Sequence, residues 1–319
     1  MISTVSSFAL VQDGLAAVER ALADTAQPDH PLLGPMLSMV LPGSGKRLRP
    51  ALALLTGRLG QYHAERLLNM AVGVELLHAA SLVHDDVVDE SDLRRGAQTL
   101  FTRVGNALAV LVGDYLFAQS ANRCVATGDV RVIGLFAQTL ASMCQGQIEE
   151  ASRGNTPELT LTREQYYQTI WGKTASLFVL ACEGSAILAG LSEPGIAAMR
   201  RYGDRLGLAF QVVDDILDFI GDEAQLGKPV GSDVRQGTIT LPVICLRETL
   251  SAEEFRAAFA EDDRSLVIDL VRTSGAVEKA QSEADRLLAE AREALIEIPE
   301  GVARDALEAL THYVVERRV

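Results

Sequence analysis

Two aspartate clusters with the same internal spacing, Asp85-Asp86-Val87-Val88-Asp89 and Asp214-Asp215-Ile216-Leu217-Asp218, are the groups in this 319-residue chain best suited to chemistry. Each follows an apolar run. If those runs are helical, residues four apart share a face with Cβ atoms about 6 Å apart, which pairs Asp85 with Asp89 and Asp214 with Asp218. Like charges so placed repel, and a hard divalent cation compensates them. Mg²⁺ takes one or two carboxylates and completes its octahedron with water and substrate phosphates. One such cluster alone reads more simply as a solvated acidic face. Here Leu82-Val83 and Val212-Val213 precede the acids, and Val87, Val88, Ile216 and Leu217 lie between them, so the carboxylates emerge from buried helices into an enclosed space.

Carboxylate-bound Mg²⁺ implies a phosphate ligand, and four basic clusters could meet it: Gly45-Lys46-Arg47-Leu48-Arg49-Pro50, Arg94-Arg95-Gly96, Gly172-Lys173-Thr174 and Gly227-Lys228-Pro229. Arginine grips phosphate with a two-pronged fork and lysine as a point charge. Each cluster alone passes for surface charge; their company with two acidic motifs changes the reading. Gly43-Ser44-Gly45-Lys46 is not a P-loop, because Val40 stands where the first glycine belongs and Arg47 where Ser or Thr would bind Mg²⁺. Glu75-Leu76-Leu77-His78 has no second Glu-x-x-His, so a di-iron site lacks half its ligands.

The elements that must position these groups are helices. Five of the ten prolines lie between Pro28 and Pro50, and none occurs from Ala51 to Thr156 or from Val243 to Ile298, which leaves two long tracts free of helix breakers. Within them Glu65–Asp89 and Asn106–Thr127 carry Ala, Leu and Val at three- and four-residue spacings. Ala71–Val83 and Ala107–Val112 are apolar on more than one face, as expected at the centre of a large helical assembly. Ala276–Ile296 reads as an amphipathic helix with Val277, Ala280, Ala284, Leu287 and Leu288 on its inner side.

Composition agrees. Hydrophobic residues make up 48% and aromatics 5%, which excludes disorder and predicts a large aliphatic core. A net charge of −14 argues against nucleic acid as the main partner. No compositional break divides the chain, so a single domain over residues 1–319 is expected. Neither a secretory signal nor a transmembrane segment is expected, and Cys124, Cys144, Cys182 and Cys245, with no CxxC pair, read as buried thiols of a reducing cytoplasm.

Taken together, the motifs from about Gly45 to Pro242 resemble those of the trans-polyprenyl diphosphate synthases, head-to-tail prenyltransferases. The resemblance implies an all-α fold, a single large helical bundle around a deep central cavity, and a homodimer. It implies Mg²⁺ held by Asp85, Asp89, Asp214 and Asp218, with Asp86 and Asp215 completing the acidic walls. Arg94, Lys173, Thr174, Gln211 and Lys228 would contact the allylic diphosphate, for example farnesyl diphosphate. Lys46, Arg49, His78 and Arg95 would hold isopentenyl diphosphate, with Phe210 packed beside it. One departure stands out: Gly237-Thr238-Ile239-Thr240 occupies the place of a common Gly-Lys-x-Thr, which removes one secondary phosphate contact.

In such enzymes the growing chain runs down the first acidic helix away from the metals. Ala80 and Ser81, about one turn before Asp85, are small and leave that path open, with Phe136 as a candidate floor; the implied product has about 30 to 50 carbons. Three alternatives differ in kind. A class I terpene cyclase needs no second diphosphate site, which Lys46, Arg49 and Arg95 oppose. A head-to-head synthase would not depend on isopentenyl diphosphate. A noncatalytic subunit of a heterodimer would be expected to lose its acidic motifs, and both are intact. A shorter-chain farnesyl or geranylgeranyl diphosphate synthase is the remaining variant of the same chemistry.

Overall fold

The tracts without proline do fold as helices. The computed structural model describes residues 8–41, 47–94, 96–152, 161–221, 230–259 and 264–316. In chain order the helices are α1 (Gln12–Thr25), α2 (Leu33–Val40), α3 (Leu48–Gly57), α4 (Ala64–Val88), α5 (Leu100–Val104), α6 (Asn106–Ala126), α7 (Val130–Ser152) and α8 (Arg163–Ile170). A π-helical turn, Trp171–Ala175, joins α8 to α9 (Ser176–Leu188). There follow α10 (Glu193–Ile220), α11 (Ser232–Arg235), α12 (Leu241–Arg247), α13 (Ala252–Ala258), α14 (Ser265–Thr273), α15 (Ala276–Ala294) and α16 (Val302–Glu316). Among the described residues the only strands are β1 (Leu93–Arg94) and β2 (Ala97–Gln98), an antiparallel ribbon. The fold is all-α.

Helix α4 is apolar on every side because it is surrounded, packing against α6, α3, α9 and α1. It is long and apolar enough to cross a membrane by composition, but 72% of its apolar window is buried inside the protein, which marks a core helix. Its contact with α6 is close because Gly73 has no side chain where Ser120 and Cys124 approach, and the Ser120 hydroxyl donates to the Gly73 carbonyl at 2.7 Å in the buried seam. Helix α10, the other long central element, packs against α9 and α15. Ala280, Ala284, Leu287 and Leu288 form the inner side of α15, as the sequence predicts.

Cys124, Cys182 and Cys245 are buried, whereas Cys144 is exposed, contrary to the expectation for all four. Its position explains the difference. Helix α7 turns Thr139, Met143 and Gly146 inward, and Cys144, one residue after Met143, falls on the outer face.

Candidate active site

Helix α4 delivers the first acidic motif at its end. Asp85 and Asp86 occupy the last turn and Asp89 is the C-cap, its N–H bonded to the Asp85 carbonyl at 2.8 Å. Glu90, in the left-handed conformation at φ 48°, reverses the chain, and the β1–β2 ribbon then carries Arg94. Helix α10 delivers the second motif in its last turns, after starting at the Ser192 N-cap, whose side chain accepts from the Gly195 N–H, with Pro194 in the first turn. Asp85 and Asp89 from one helix and Asp214 and Asp218 from the other line one cavity of about 1100 Å³.

Lys173 and Thr174 reach this cavity from the π-helical turn. The turn sits hard against α7 through two glycines. A Cβ on Gly172 would lie 2.6 Å from the Ser142 carbonyl oxygen, and one on Gly146 would lie 2.8 Å from the Lys173 backbone nitrogen. That contact brings the Lys173 ammonium within 4.0 Å of Asp85 Oδ2 and into a salt bridge with Glu150.

The described cavity wall carries eight carboxylate side chains and three cationic ones. Burial, reinforced by Asp89 and Glu150 and opposed by Lys173 and Arg94, pushes the Asp85 carboxyl up to about 6. Burial likewise raises Asp89 and Asp86. For Lys173, burial works against the charge, but Asp85 and Glu150 outweigh it and hold the ammonium protonated. A wall so rich in mutually repelling carboxylates fits hard divalent cations. Among the described residues no three such side chains stand at metal-enclosing distance, and Mg²⁺ commonly takes only one or two carboxylates and completes its shell with water and phosphate oxygens.

The sequence-derived candidates fall into five sets. Asp85, Asp89, Asp214, Asp218, Arg94, Lys173, Thr174 and Gln211 come together around the cavity. Asp86 and Asp215 are occupied differently: Asp86 accepts from Arg94 at 2.7 Å and is 6% exposed, while Asp215 accepts from Tyr166 at 2.6 Å and from Gln211 at 2.8 Å. Arg49 lies over two aromatic rings, 4.8 Å from the Phe178 centroid and 5.9 Å from that of Phe210. His78 is half-buried on α4, Ala80 is wholly buried, the Ser81 hydroxyl donates to the His78 carbonyl, and Phe136 is buried on α7; none of these lines the cavity just described. Lys46, Arg95 and Lys228 lie outside the described residues.

Arg47, the third cation of its cluster, is turned inward onto Glu19, Glu75 and the Leu41 carbonyl. Thr238, the residue that departs from the Gly-Lys-x-Thr pattern, does line the cavity.

Of the cavity residues that escaped the sequence reading, three contact predicted ones. Glu150 sits in a Glu149-Glu150 pair near the end of an amphipathic helix, where acids usually face water. Asp233, whose backbone N–H donates to Asp218 Oδ2 at 3.1 Å, follows a Gly-Ser pair that reads as a turn. Tyr166 reads as a core aromatic, and only the fold places its hydroxyl on Asp215.

Comparison with known proteins agrees with this geometry. The polyprenyl synthetase family profile matches residues 30–269. The chain is 40% identical to heptaprenyl diphosphate synthase component 2 of Geobacillus stearothermophilus, over 97% of this chain and 98% of that one. It is 34% identical to octaprenyl diphosphate synthase of Escherichia coli (strain K12), over 97% of each. The crystal structure of a polyprenyl synthase from Caulobacter crescentus CB15, complexed with calcium and isoprenyl diphosphate, superposes with a TM-score of 0.92 at 33% identity, covering 99% of this chain and 98% of that one. With its two acidic motifs facing one cavity, the chain belongs to the polyprenyl synthetase family and is a prenyltransferase of the trans-polyprenyl diphosphate synthase type.

Proposed function

We propose that the chain, acting as one domain in the cytoplasm, extends an allylic diphosphate such as farnesyl diphosphate with isopentenyl diphosphate by head-to-tail condensation. The product is a long-chain all-trans polyprenyl diphosphate. The observation that carries this reading is the pair of acidic motifs lining a single cavity with Lys173 beside Asp85. The heptaprenyl and octaprenyl names of the relatives support a long product.

Asp85 and Asp89 on one wall, and Asp214 and Asp218 on the other, would hold Mg²⁺. When bound, the ion supplies positive charge to offset the negative charge that builds on a departing pyrophosphate. Lys173, Arg94 and Gln211 bind and orient the allylic diphosphate together with Thr174, and the family resemblance adds Lys228 as a further contact. Arg49, its guanidinium over Phe178 and Phe210, suits the second diphosphate together with Lys46, His78 and Arg95. Val88, Leu161, Ile170, Leu217 and Ile239 give the cavity apolar wall, which keeps water from an allylic carbocation. The isopentenyl double bond attacks that cation and the released pyrophosphate takes the proton, so no protein nucleophile is required.

The name component 2 borne by the Geobacillus relative favours a second reading, in which this chain works with a different subunit rather than as a homodimer. The exposed Val110, Leu111 and Val125 of α6 suit either partner. Incubating the purified chain alone with farnesyl diphosphate, labelled isopentenyl diphosphate and Mg²⁺, then sizing the product, tests both. A long polyprenyl product is expected. No product from the chain alone would exclude the self-sufficient homodimer, and a product stopping after one or two additions would exclude the long-chain assignment.

A further inference from the structure

Tyr166 is buried in the cavity wall, and its hydroxyl starts a chain of three hydrogen bonds that crosses that wall. The Thr162–Gln165 capping box fixes the first turn of α8 and with it the position of Tyr166. The phenol donates to Asp215 Oδ2 at 2.6 Å, Gln211 Nε2 donates to Asp215 Oδ1 at 2.8 Å, and Thr174 Oγ1 donates to Gln211 Oε1 at 2.7 Å. Gln211 turns its NH₂ to Asp215 and its carbonyl to Thr174, the sense that satisfies every donor when Asp215 accepts at both oxygens. Burial pushes the Asp215 carboxyl well up, and the bonds donated by Tyr166 and Gln211 oppose that shift and favour the ionised form. The amide nitrogen has two protons and Asp215 takes one. The second is the donor Gln211 can offer to a ligand in the cavity it lines. A glutamine turned the other way would offer carbonyl oxygen to an anion.

We propose that Tyr166 is a positioning residue for diphosphate binding: through Asp215 it fixes Gln211 so that an amide N–H, and not the carbonyl, is available to the cavity. Asp215 then serves as the buried relay between Tyr166 and Gln211, with both oxygens committed, while its neighbour Asp214 lines the metal side. The inference rests on the proposed diphosphate site. It predicts that removing one phenol oxygen, whose hydrogen bond goes to Asp215, weakens diphosphate binding because the amide loses its fixed sense.

The test is calorimetric titration of inorganic pyrophosphate, with Mg²⁺ present, into the whole chain and into Tyr166→Phe, Gln211→Met and the double variant, with thermal melts alongside. Loss of a hydrogen bond to a charged group corresponds to about tenfold weaker binding for Tyr166→Phe. The same substitution in the Gln211→Met background should have no further effect, because residues acting through one chain are not additive. A purely structural role would instead lower melting temperature while leaving pyrophosphate affinity unchanged, or would weaken binding equally in both backgrounds; either result overturns the proposal. Should Tyr166→Phe fail to fold, Asp215→Asn gives a second reading. Its carboxamide can accept from Tyr166 and present NH₂ to Gln211, which reverses the glutamine, so the same loss is expected and an unchanged affinity overturns the proposal. Intact pyrophosphate binding with the predicted pattern, but no prenyl product from farnesyl and isopentenyl diphosphates, would overturn the prenyl-transfer reading and leave this one standing.

Discussion

Arg94 Nε stands 2.7 Å from Asp86 Oδ1, so the second aspartate of the first acidic motif is engaged by an arginine that the β1–β2 ribbon brings back to it. On a helix Asp86 points about 100° away from Asp85, which is why two adjacent acids of one motif have different partners. The substitutions should separate accordingly. Asp85→Asn removes a charge from the cation-facing pair and is expected to lower kcat/KM by about 100- to 1000-fold. Asp86→Asn loosens only the hold on Arg94, for an expected loss of about tenfold. Steady-state rates at saturating Mg²⁺ decide it, and equal losses would refute this division of roles.

Asp85 also sets a pH dependence. Its folded-state value of about 6 lies above the roughly 3.9 of an unfolded aspartate, so ionised Asp85 costs folding free energy. The cost is absent below about pH 4, grows through the interval, and is complete above about pH 6, where it amounts to at most about 3 kcal/mol. Asp86 and Asp89, raised by burial as well, add to it with the same sign. Metal-free protein should therefore melt higher near pH 5 than near pH 7, within the range where it stays folded. Asp85→Asn should raise the pH 7 melting temperature and flatten that slope. The stabilisation given by Mg²⁺ should shrink as pH falls through about 6, because protons then compete for the carboxylate. A slope unchanged in Asp85→Asn would disprove the assignment.

The acidic pairs were legible in the sequence because four-residue spacing is a local property of a helix, and α4 and α10 kept it. Proline placement and apolar periodicity gave α4 and α6 to within a residue at each end for the same reason. What stayed hidden depends on how helices cross. Glu150 becomes a partner of Lys173 only because Gly146 and Gly172 let α7 and the π-helical turn approach closely. Tyr166 meets Asp215 only across α8 and α10. Arg47 was indistinguishable from Lys46 and Arg49 in a basic run, yet its left-handed backbone at φ 47° turns it onto Glu19 and Glu75. Spacing says which residues share a face, not which of them the neighbouring helix will use.

Gly172 tests that crossing directly. Alanine there would put a methyl 2.6 Å from the Ser142 carbonyl oxygen and 3.3 Å from Gly146 Cα, both backbone atoms that cannot swing aside. Overpacking of this kind costs about 1–3 kcal/mol. Because the neighbouring residues of the turn are Lys173 and Thr174, Gly172→Ala should raise KM for the allylic substrate as well as lower the melting temperature. Gly134→Ala on the outer face of α7, where a Cβ would meet nothing within 4 Å, is the control and should do neither.

Product length should respond to Ala80, which lies on α4 five positions before Asp85 and is wholly buried. A tyrosine there must displace its neighbours, at a cost of about 1–3 kcal/mol, and would narrow any path along α4 away from the acids. Ala80→Tyr is expected to yield shorter prenyl chains than the unmodified protein under the same substrate ratio, read by chromatography. Unchanged length in a folded variant would sink the open-tunnel account.

Thr238 offers a gain of function. It lines a cavity wall whose described charged residues are mostly carboxylates, at the place where the family resemblance leads one to expect a lysine. An added ammonium would oppose that negative excess and attract a diphosphate, by about 1 kcal/mol for a partly solvated charge. Thr238→Lys should therefore lower KM for the allylic diphosphate by about fivefold, with the effect fading at high salt as screening grows. Its effect on isopentenyl diphosphate should be small, because Arg49 and Phe210 do not line this cavity. If KM for both substrates falls together, the lysine is acting as general positive charge and Thr238 does not mark the allylic side of the site.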